Sequence, residues 1–200
     1  MLLWFAGGSW LLIWAVLQDP AVDYRLVIAG ALLPDAIDGP FGGIGVAHSL
    51  AVSVAVLLVV MVATIGRRGL RRRLLALPMG MLVHLALDGV WTTTRVFWWP
   101  VKGWSLAGAG RLPSLAHPVA VTAVEELAGA AALAWCWTRL GLTDRDRRTR
   151  WLRTGRLAAE AGPRGGTAGL PSRRGGRSGP RADRMPAPRD PPPDPDGPDR

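Results

Sequence analysis

Residues 74–91 read LLALPMGMLVHLALDGVW, an apolar stretch that is long enough to cross a bilayer. Its two ionisable residues, His84 and Asp88, are four positions apart, so on a helix both side chains lie on one face. Ionisable groups inside a membrane helix are costly in free energy and usually have a function. A histidine and an aspartate at this spacing can bind one metal ion together, provided that further ligands lie nearby.

The composition divides the chain into two parts. Of its 200 residues 49% are hydrophobic, yet the formal net charge is +9, and these values describe different segments. Residues 1–140 are apolar and rich in tryptophan, which predicts a transmembrane helical domain. Residues 141–200 are rich in Arg, Pro and Gly, which predicts a disordered cytoplasmic tail. A short helix over Asp144–Ala161 is compatible with this tail, with Trp151, Leu152 and Leu157 on the membrane surface.

Four apolar stretches come near the length of about 20 residues that a transmembrane helix needs: Leu2–Leu17, Ile44–Ile65, Leu74–Trp91 and Pro118–Thr138. A fifth run, Leu26–Leu33, has about eight residues and stops at a proline, which predicts a short re-entrant or interfacial helix. The expected fold class is therefore all-α, an integral membrane helical bundle of about four spans plus this short helix.

The arginines predict the orientation. The cluster Arg67–Arg73 joins the second and third spans, and the Arg-rich tail follows the fourth. Basic loops favour the cytoplasmic side, so both termini are expected in the cytoplasm, with Asp19–Gly43 and Thr92–His117 outside. The cluster also predicts contact with anionic lipid headgroups. Nucleic-acid binding is unfavoured, because aspartates dilute the charge of the tail and Trp151 is its one aromatic residue for stacking.

This orientation places ionisable residues from several segments in one layer near the outer face. Histidines and carboxylates together form a suitable ligand set for Zn²⁺ or another divalent metal. Glu125, about two turns into the fourth span, is a candidate general base for a metal-activated water. The predicted metal ligands are Asp35, Asp38, His48, His84 and Asp88.

Each of these residues also has a purely structural interpretation. His84 can be a core histidine that is bonded to a backbone carbonyl, and Asp88 can accept hydrogen bonds from the threonines that follow it. Asp35 can cap a loop, and His48 can lie at the membrane interface. Glu125 and its acidic neighbour point about 100° apart on a helix, so one of the two must face lipid or another helix.

The polar residues occur in an order that resembles a known family. Leu33–Asp38 is similar to a Leu-Pro-Asp-x-Asp element, and Ala47–Ser49 is similar to a Thr-His-Ser at the start of a membrane helix. His84–Asp88 matches a His-x-x-x-Asp element, and Trp99–Pro100 follows at a similar distance. Over Leu26–Pro100 the chain thus resembles the bacterial inner-membrane metal-dependent hydrolases, also described as LexA-regulated membrane hydrolases.

The chain also departs from that family. Its first helix has no histidine, Gly39 stands where members often have one, and Ile44–Val46 replaces a His-Arg-Gly. The paired aspartates are one residue further apart. If the missing histidines are ligands in the family, this chain holds fewer metal ions or holds one more weakly.

The resemblance implies an activity. The family is distantly similar to zinc-dependent phospholipase C enzymes, so by analogy it implies hydrolysis of a phosphoester. We therefore expect a metal-dependent hydrolase of a bacterial cytoplasmic membrane, with a phospholipid or other phosphoester substrate near the outer leaflet. The alternative is a non-catalytic membrane scaffold or small transporter, whose polar cluster only ties helices together by hydrogen bonds.

Overall fold

A computed structural model of the protein describes residues 1–41, 45–106 and 117–157. Their regular secondary structure is helical, with no strand in these ranges, which confirms the predicted all-α class. Short 3-10 turns lie at Gly39–Phe41, Val46–His48 and Val90–Thr92. The α-helices in these ranges are α1 (Leu2–Leu17), α2 (Tyr24–Asp38), α3 (Leu50–Ala63), α4 (Arg68–Leu74), α5 (Ala76–Leu87), α6 (Thr94–Phe97), α7 (Val119–Arg139) and α8 (Arg145–Thr154).

The centre of the bundle consists of two closely packed helix pairs, α2 with α5 and α1 with α7. Where α2 meets α5, a β-carbon on Gly30 would overlap the Leu77 carbonyl. One turn away, a β-carbon on Gly80 would overlap the Val27 carbonyl. Small residues at a helix contact let two backbones approach closely, so these glycines set the distance between α2 and α5.

Contacts at the two ends of α2 define its direction. Asp23, just before α2, lies 3.0 Å from the Arg73 guanidinium at the end of α4. Asp35, in the last turns of α2, lies 3.7 Å from His84, in the last turn of α5. Helices α2 and α5 therefore run in the same direction, from an arginine end that contains Arg73 to a histidine end that contains His84. Helix α1 runs the opposite way, with Phe5 against the His84 ring.

The segment Asp19–Gly43 differs from its prediction. It was expected to lie wholly on the side opposite Arg67–Arg73, but the Asp19 carboxylate lies 2.6 Å from Arg72 at the arginine end. The chain then returns along the bundle as α2, which has 15 residues and continues through Pro34. The short helix over Leu26–Leu33 was therefore wrong in length, because packing against α5 outweighs the one backbone hydrogen bond that a proline removes.

This path also separates the N-terminus from the arginines. The Met1 amino group lies 3.5 Å from Glu126, and the Leu3 amide donates to the same carboxylate, both at the start of the α1–α7 pair. The N-terminus is thus at the histidine end of the bundle and Arg67–Arg73 is at the other, which differs from the expected arrangement; its side of the membrane stays a prediction. The distribution of arginines predicted the side of each loop. It gave no sign that α2 runs along the bundle as a further helix.

Membrane-crossing length is found in one helix of the described ranges. Helix α7 has 21 residues and is apolar enough to cross a bilayer; it matches the predicted stretch Pro118–Thr138. Helix α1 and the 14-residue helix α3 are apolar but shorter. Helix α5 has 12 residues, because the predicted stretch Leu74–Trp91 breaks at Leu75. Pro78 lies three residues further on and has no N–H to donate to the Leu74 carbonyl. Proline is tolerated in the first turn of a helix, which is where Pro78 lies in α5.

The folded unit extends beyond the predicted boundary at residue 140. Helix α8 is capped by Asp144, which accepts from the Arg147 amide, and Trp151 of α8 stacks on Trp10 with ring centroids 5.3 Å apart. Trp151 and Leu157 are buried, so their predicted place on the membrane surface was wrong, whereas Leu152 is 56% exposed. The sequence around Trp151 and Leu157 is strongly basic, which favoured the prediction of disorder. The hydrophobic contacts of a few side chains nevertheless hold α8 against the bundle. The predicted disorder of the remaining tail, 158–200, lies outside the described residues.

Candidate metal centre

His48 occupies the turn that leads into α3. Ser49 caps that helix: its hydroxyl accepts from the Val52 amide at 3.2 Å and donates to the Val46 carbonyl at 2.7 Å. A serine at this position satisfies amide groups that the first turn of a helix leaves without partners. The cap fixes the end of α3 and thereby the backbone of His48, whose side chain is fully buried. The interpretation of His48 as an interfacial residue was therefore wrong.

Asp38 holds the His48 ring from behind. Its carboxylate accepts from Nδ1 of His48 at 2.8 Å and from the His48 backbone amide at 3.2 Å. A β-carbon on Gly45 would overlap this carboxylate, so the chain between α2 and α3 approaches it with bare backbone. A carboxylate that accepts from Nδ1 places the proton there and leaves Nε2 as the ligand atom, as is common behind metal-binding histidines.

Asp35 stands between the two histidines. Its Oδ1 lies 3.2 Å from Nε2 of His48 and 3.7 Å from Nε2 of His84. One ligand atom from each of these three residues lies within 4.8 Å of the others. Tetrahedral ligands that share a Zn²⁺ ion at about 2.0–2.2 Å lie roughly 3–4 Å apart, so the two contacts of Asp35, at 3.2 Å and 3.7 Å, have this spacing. Within the described ranges this is the group that the structure presents for metal binding, and the predicted meeting of Asp35, His48 and His84 is confirmed.

His84 has polar atoms that no protein group satisfies. Its side chain is fully buried, and neither ring nitrogen has a hydrogen bond among the described residues. The Ala31 backbone is close to the ring but outside hydrogen-bond geometry, and Phe5 covers the ring with centroids 4.1 Å apart. The alternative of a core histidine bonded to a carbonyl therefore leaves the ring unsatisfied. Buried polar groups are nearly always paired. The unsatisfied nitrogens of His84 therefore favour a bound metal ion as the missing partner.

The other predicted ligands lie around this group or away from it. Asp38 contacts Nδ1 of His48, not the side that faces Asp35. Asp88 is buried at the end of α5 and interacts electrostatically with His48. Glu125, the proposed base, lies 3.2 Å from His117 on the outer part of the bundle and is not in the group. Depth along the sequence does not give the direction of a side chain around α7.

Two residues that support the site carried no usable signal in the sequence. Phe5 was one of many apolar residues in the first helix, and Gly45 was noted only as part of a departure from the family pattern. Both act through shape: Phe5 excludes water from one face of His84, and Gly45 leaves room for Asp38.

The group is dry on one side and open on the other. Both histidine side chains are fully buried, whereas the Asp35 side chain is 43% exposed. Two imidazole nitrogens and one carboxylate oxygen are three protein ligands, the number that catalytic zinc sites commonly provide with a fourth position for water or substrate. Exposure at Asp35 gives that fourth position access to solvent.

No family model, no curated protein and no solved structure matches this chain. The functional interpretation therefore depends on the geometry of the group.

Proposed function

We propose that the protein is a membrane-bound metal-dependent hydrolase that holds a divalent ion, zinc by the nature of its ligands, between Asp35, His48 and His84. The observation that carries the proposal is His84: a fully buried imidazole that has no hydrogen bond with any residue that the structure describes and lies 3.7 Å from a half-exposed carboxylate. Imidazole nitrogens with one carboxylate suit Zn²⁺ better than Ca²⁺ or Mg²⁺, which prefer oxygen.

The residues around the proposed ion have different roles. Asp38 keeps the proton of His48 on Nδ1 and holds the ring toward Asp35. Phe5 and the surrounding apolar core keep water from the buried faces of the histidines, so the open side at Asp35 is where a substrate enters. Asp35, His48 and His84 would hold a divalent ion there, which would supply a Lewis acid for a phosphoryl oxygen and would activate water. Glu125 has no contact that supports its role as base at this group.

The membrane location is part of the proposal. Large apolar side chains point outward on α3 and α7: Val59 and Val62 are each 66% exposed, and Leu127 is 70% exposed. Trp98 and Trp104 are exposed beyond the histidine end, as in an interfacial aromatic belt. Together with α7 these faces support a multi-pass protein of a bacterial cytoplasmic membrane, in which α1, α3 and α5 also lie in the bilayer.

The arginines orient the protein in that membrane. The cluster Arg67–Arg73 and α8 lie at one end of the bundle, and basic ends favour the cytoplasm. We therefore place the arginine end and α8 inside, where the arginines contact anionic lipid headgroups. The N-terminus then faces the outer leaflet, as does the metal group, which consists of Asp35, His48 and His84. A phosphoester that presents its phosphate at that interface, a phospholipid in the first place, is the substrate class that fits.

The resemblance in the sequence supports the same proposal. The elements Leu33–Asp38, Ala47–Ser49 and His84–Asp88 are separated along the chain, yet Asp35, His48 and His84 meet within 4.8 Å. The inner-membrane metal-dependent hydrolase family remains the proposed relationship, and phosphoester hydrolysis is carried over from it by analogy.

Metal content tests the proposal. The full chain is purified in mild detergent, loaded with Zn²⁺, desalted and measured by elemental mass spectrometry. We expect about one equivalent in the wild type and in His117→Ala, and almost none in His84→Ala. His117 is the matched control because it is the histidine outside the group. Asp35→Asn should also lose metal, and its exposed position makes misfolding a poor explanation. Equal zinc in His84→Ala and the wild type would refute the site.

A scaffold is the second candidate, and one observation favours it. The chain Asp38–His48–Asp35 already links α2 to the start of α3 by hydrogen bonds without any ion. A scaffold predicts no stoichiometric metal in the wild type after loading. If zinc binds, hydrolysis of a chromogenic phosphodiester by the wild type, but not by His84→Ala, separates an enzyme from a metal-binding scaffold.

A further inference from the structure

A basic cavity lies at the arginine end, away from the metal group. It has a volume of about 420 Å³ and is lined by Arg73, Arg153, Thr154 and Arg156. Arg73 comes from the end of α4, whereas the other three come from the end of α8 and the residues just after it. Two segments that are about eighty positions apart thus bring three guanidinium groups around one space.

The charge of this cavity is only partly compensated. Arg73 contacts Asp23 through Nε at 3.0 Å, and Asp23 also accepts from Arg25. Arg153 and Arg156 form no ion pair with a carboxylate among the described residues. Guanidinium groups that converge without counter-charge favour an anion, and their planar fork matches a phosphate group in particular.

The end of α8 is held in place, so the cavity exists before a ligand arrives. Arg25 donates to the Leu152 carbonyl at 2.5 Å, which ties the last turn of α8 to α2. Helix α8 ends at Gly155, whose φ of 72° is left-handed, and a β-carbon there would overlap the Asp23 carboxylate. Trp151 stacks on Trp10 one turn earlier. The backbone beside Arg153 and Arg156 is therefore already in place, and binding has to order only their side chains.

We propose that this cavity is a binding site for a phosphate group, held by Arg73, Arg153 and Arg156 with the Thr154 side chain beside them. Its volume lies in the range of small-molecule sites and exceeds what one inorganic phosphate fills, which leaves room for a headgroup. The phosphate can belong to an anionic lipid of the adjoining leaflet or to a soluble ion. In either case the ligand bridges α4 and α8, so binding stabilises the docked position of α8. The site is independent of the metal group.

The test uses the purified full chain in a neutral detergent. Its thermal unfolding is followed while inorganic phosphate or dihexanoyl phosphatidic acid is added, with dihexanoyl phosphatidylcholine as the zwitterionic comparison. We expect the unfolding temperature to rise with phosphatidic acid, and the apparent affinity to fall at least about tenfold in the double variant Arg153→Gln/Arg156→Gln. Arg145→Gln, on an exposed position at the start of α8, is the matched control and should behave like the wild type.

The two probes distinguish the source of the phosphate. An equal response to inorganic phosphate identifies a soluble ion, and a response confined to phosphatidic acid identifies a lipid headgroup. Both variants change exposed side chains, and a wild-type unfolding temperature without ligand shows that they fold. No shift with either probe, or an unchanged affinity in the double variant, would overturn the proposal.

Discussion

The Asp38 carboxylate accepts hydrogen bonds from both Nδ1 and the backbone amide of His48, at 2.8 Å and 3.2 Å. One side chain at the end of α2 thus fixes both the backbone and the ring of a residue that precedes α3. The opposite nitrogen of that ring faces Asp35 at 3.2 Å. Asp38 is therefore a positioning residue for the metal group, and it acts through His48.

Asp38→Asn should weaken zinc binding without removing a ligand. The amide loses the negative charge that makes His48 more basic, and substitution behind a ligating histidine typically costs about 10–100-fold in affinity. We expect a shift of this size in a competition titration against a chromogenic chelator. Asp19→Asn, which removes a carboxylate at the arginine end, should leave the affinity unchanged. An unchanged Kd in Asp38→Asn would show that His48 does not need its partner.

Gly45→Ala should have the same effect by a steric route. The new methyl group would overlap the Asp38 carboxylate, whereas the same change at Gly39 meets no atom within 4 Å. Overpacking of this kind costs about 1–3 kcal/mol, and displacement of Asp38 should lower the zinc affinity as well. Gly39→Ala is the matched control, since Gly39 has helical backbone angles that alanine adopts freely. Equal stability and equal zinc affinity in the two variants would contradict this placement of Gly45.

Part of this site was predictable from the sequence. His84 and Asp88 are ionisable residues in an apolar stretch, and Asp35 and His48 lie beside neighbouring stretches, so depth alone placed them in one layer. Depth does not give direction around a helix, and Glu125 contacts His117 instead of the three ligands. The role of Asp38 was also out of reach, because a ligand and the residue behind a ligand have the same chemistry and differ only in which nitrogen they contact.

The path of the chain was harder to predict than its helices. Pro34 marked the end of an apolar run, and local propensity gave no reason to continue a helix through it. The contacts of Gly30 and Gly80 supply the reason, since they join residues that are far apart in sequence. Once α2 crosses the bundle, Asp19 and Arg72 fall together and the N-terminus moves to the other end. The length of one helix thus decides at which end of the bundle the N-terminus lies.

Trp151→Ala should loosen α8 from the bundle. The indole is buried and stacks on Trp10 with an interplanar angle of 9°. Truncation of a buried tryptophan costs about 3–5 kcal/mol, which should appear as a lower unfolding temperature and faster proteolysis after the arginines of α8. Leu152→Ala changes a neighbouring side chain that is 56% exposed and should have little effect. Equal protease resistance in the two variants would argue against docking of α8.

The ion pairs at the arginine end should make stability depend on acid pH. Burial raises the pKa of the Asp23 carboxyl, but the hydrogen bonds and charges of Arg25 and Arg73 outweigh it and lower the pKa below its usual 3.8. The pKa of Asp19 is lowered by the Ala21 amide and then by Arg72. A lowered pKa in the folded state means that the stabilisation is present above about pH 4 and is lost as the pH falls through the folded value.

Asp23→Asn isolates this contribution. At pH 7 the variant should be less stable by about 1.5–3 kcal/mol, the usual size of a hydrogen bond to a charged group. Below pH 4 the wild type loses the same interaction by protonation, so the two unfolding temperatures should converge. Thermal unfolding from pH 7 to pH 3 measures the difference. A gap that stays constant over this range would mean that the charge of Asp23 does not stabilise the fold.

The orientation of the bundle gives the last prediction. Met1 lies at the histidine end and Arg72 at the arginine end, so in the proposed orientation residues near the two are expected on opposite sides of the membrane. In a Cys136→Ser background, single cysteines at Leu2 and Trp104, both exposed, should react with a membrane-impermeant maleimide on intact cells. A cysteine at Gly69, which has open space around it, should react only after permeabilisation. Labelling of Gly69→Cys but not Leu2→Cys on intact cells would invert the orientation and place the metal group at the inner leaflet. Labelling of both would contradict the path of α2.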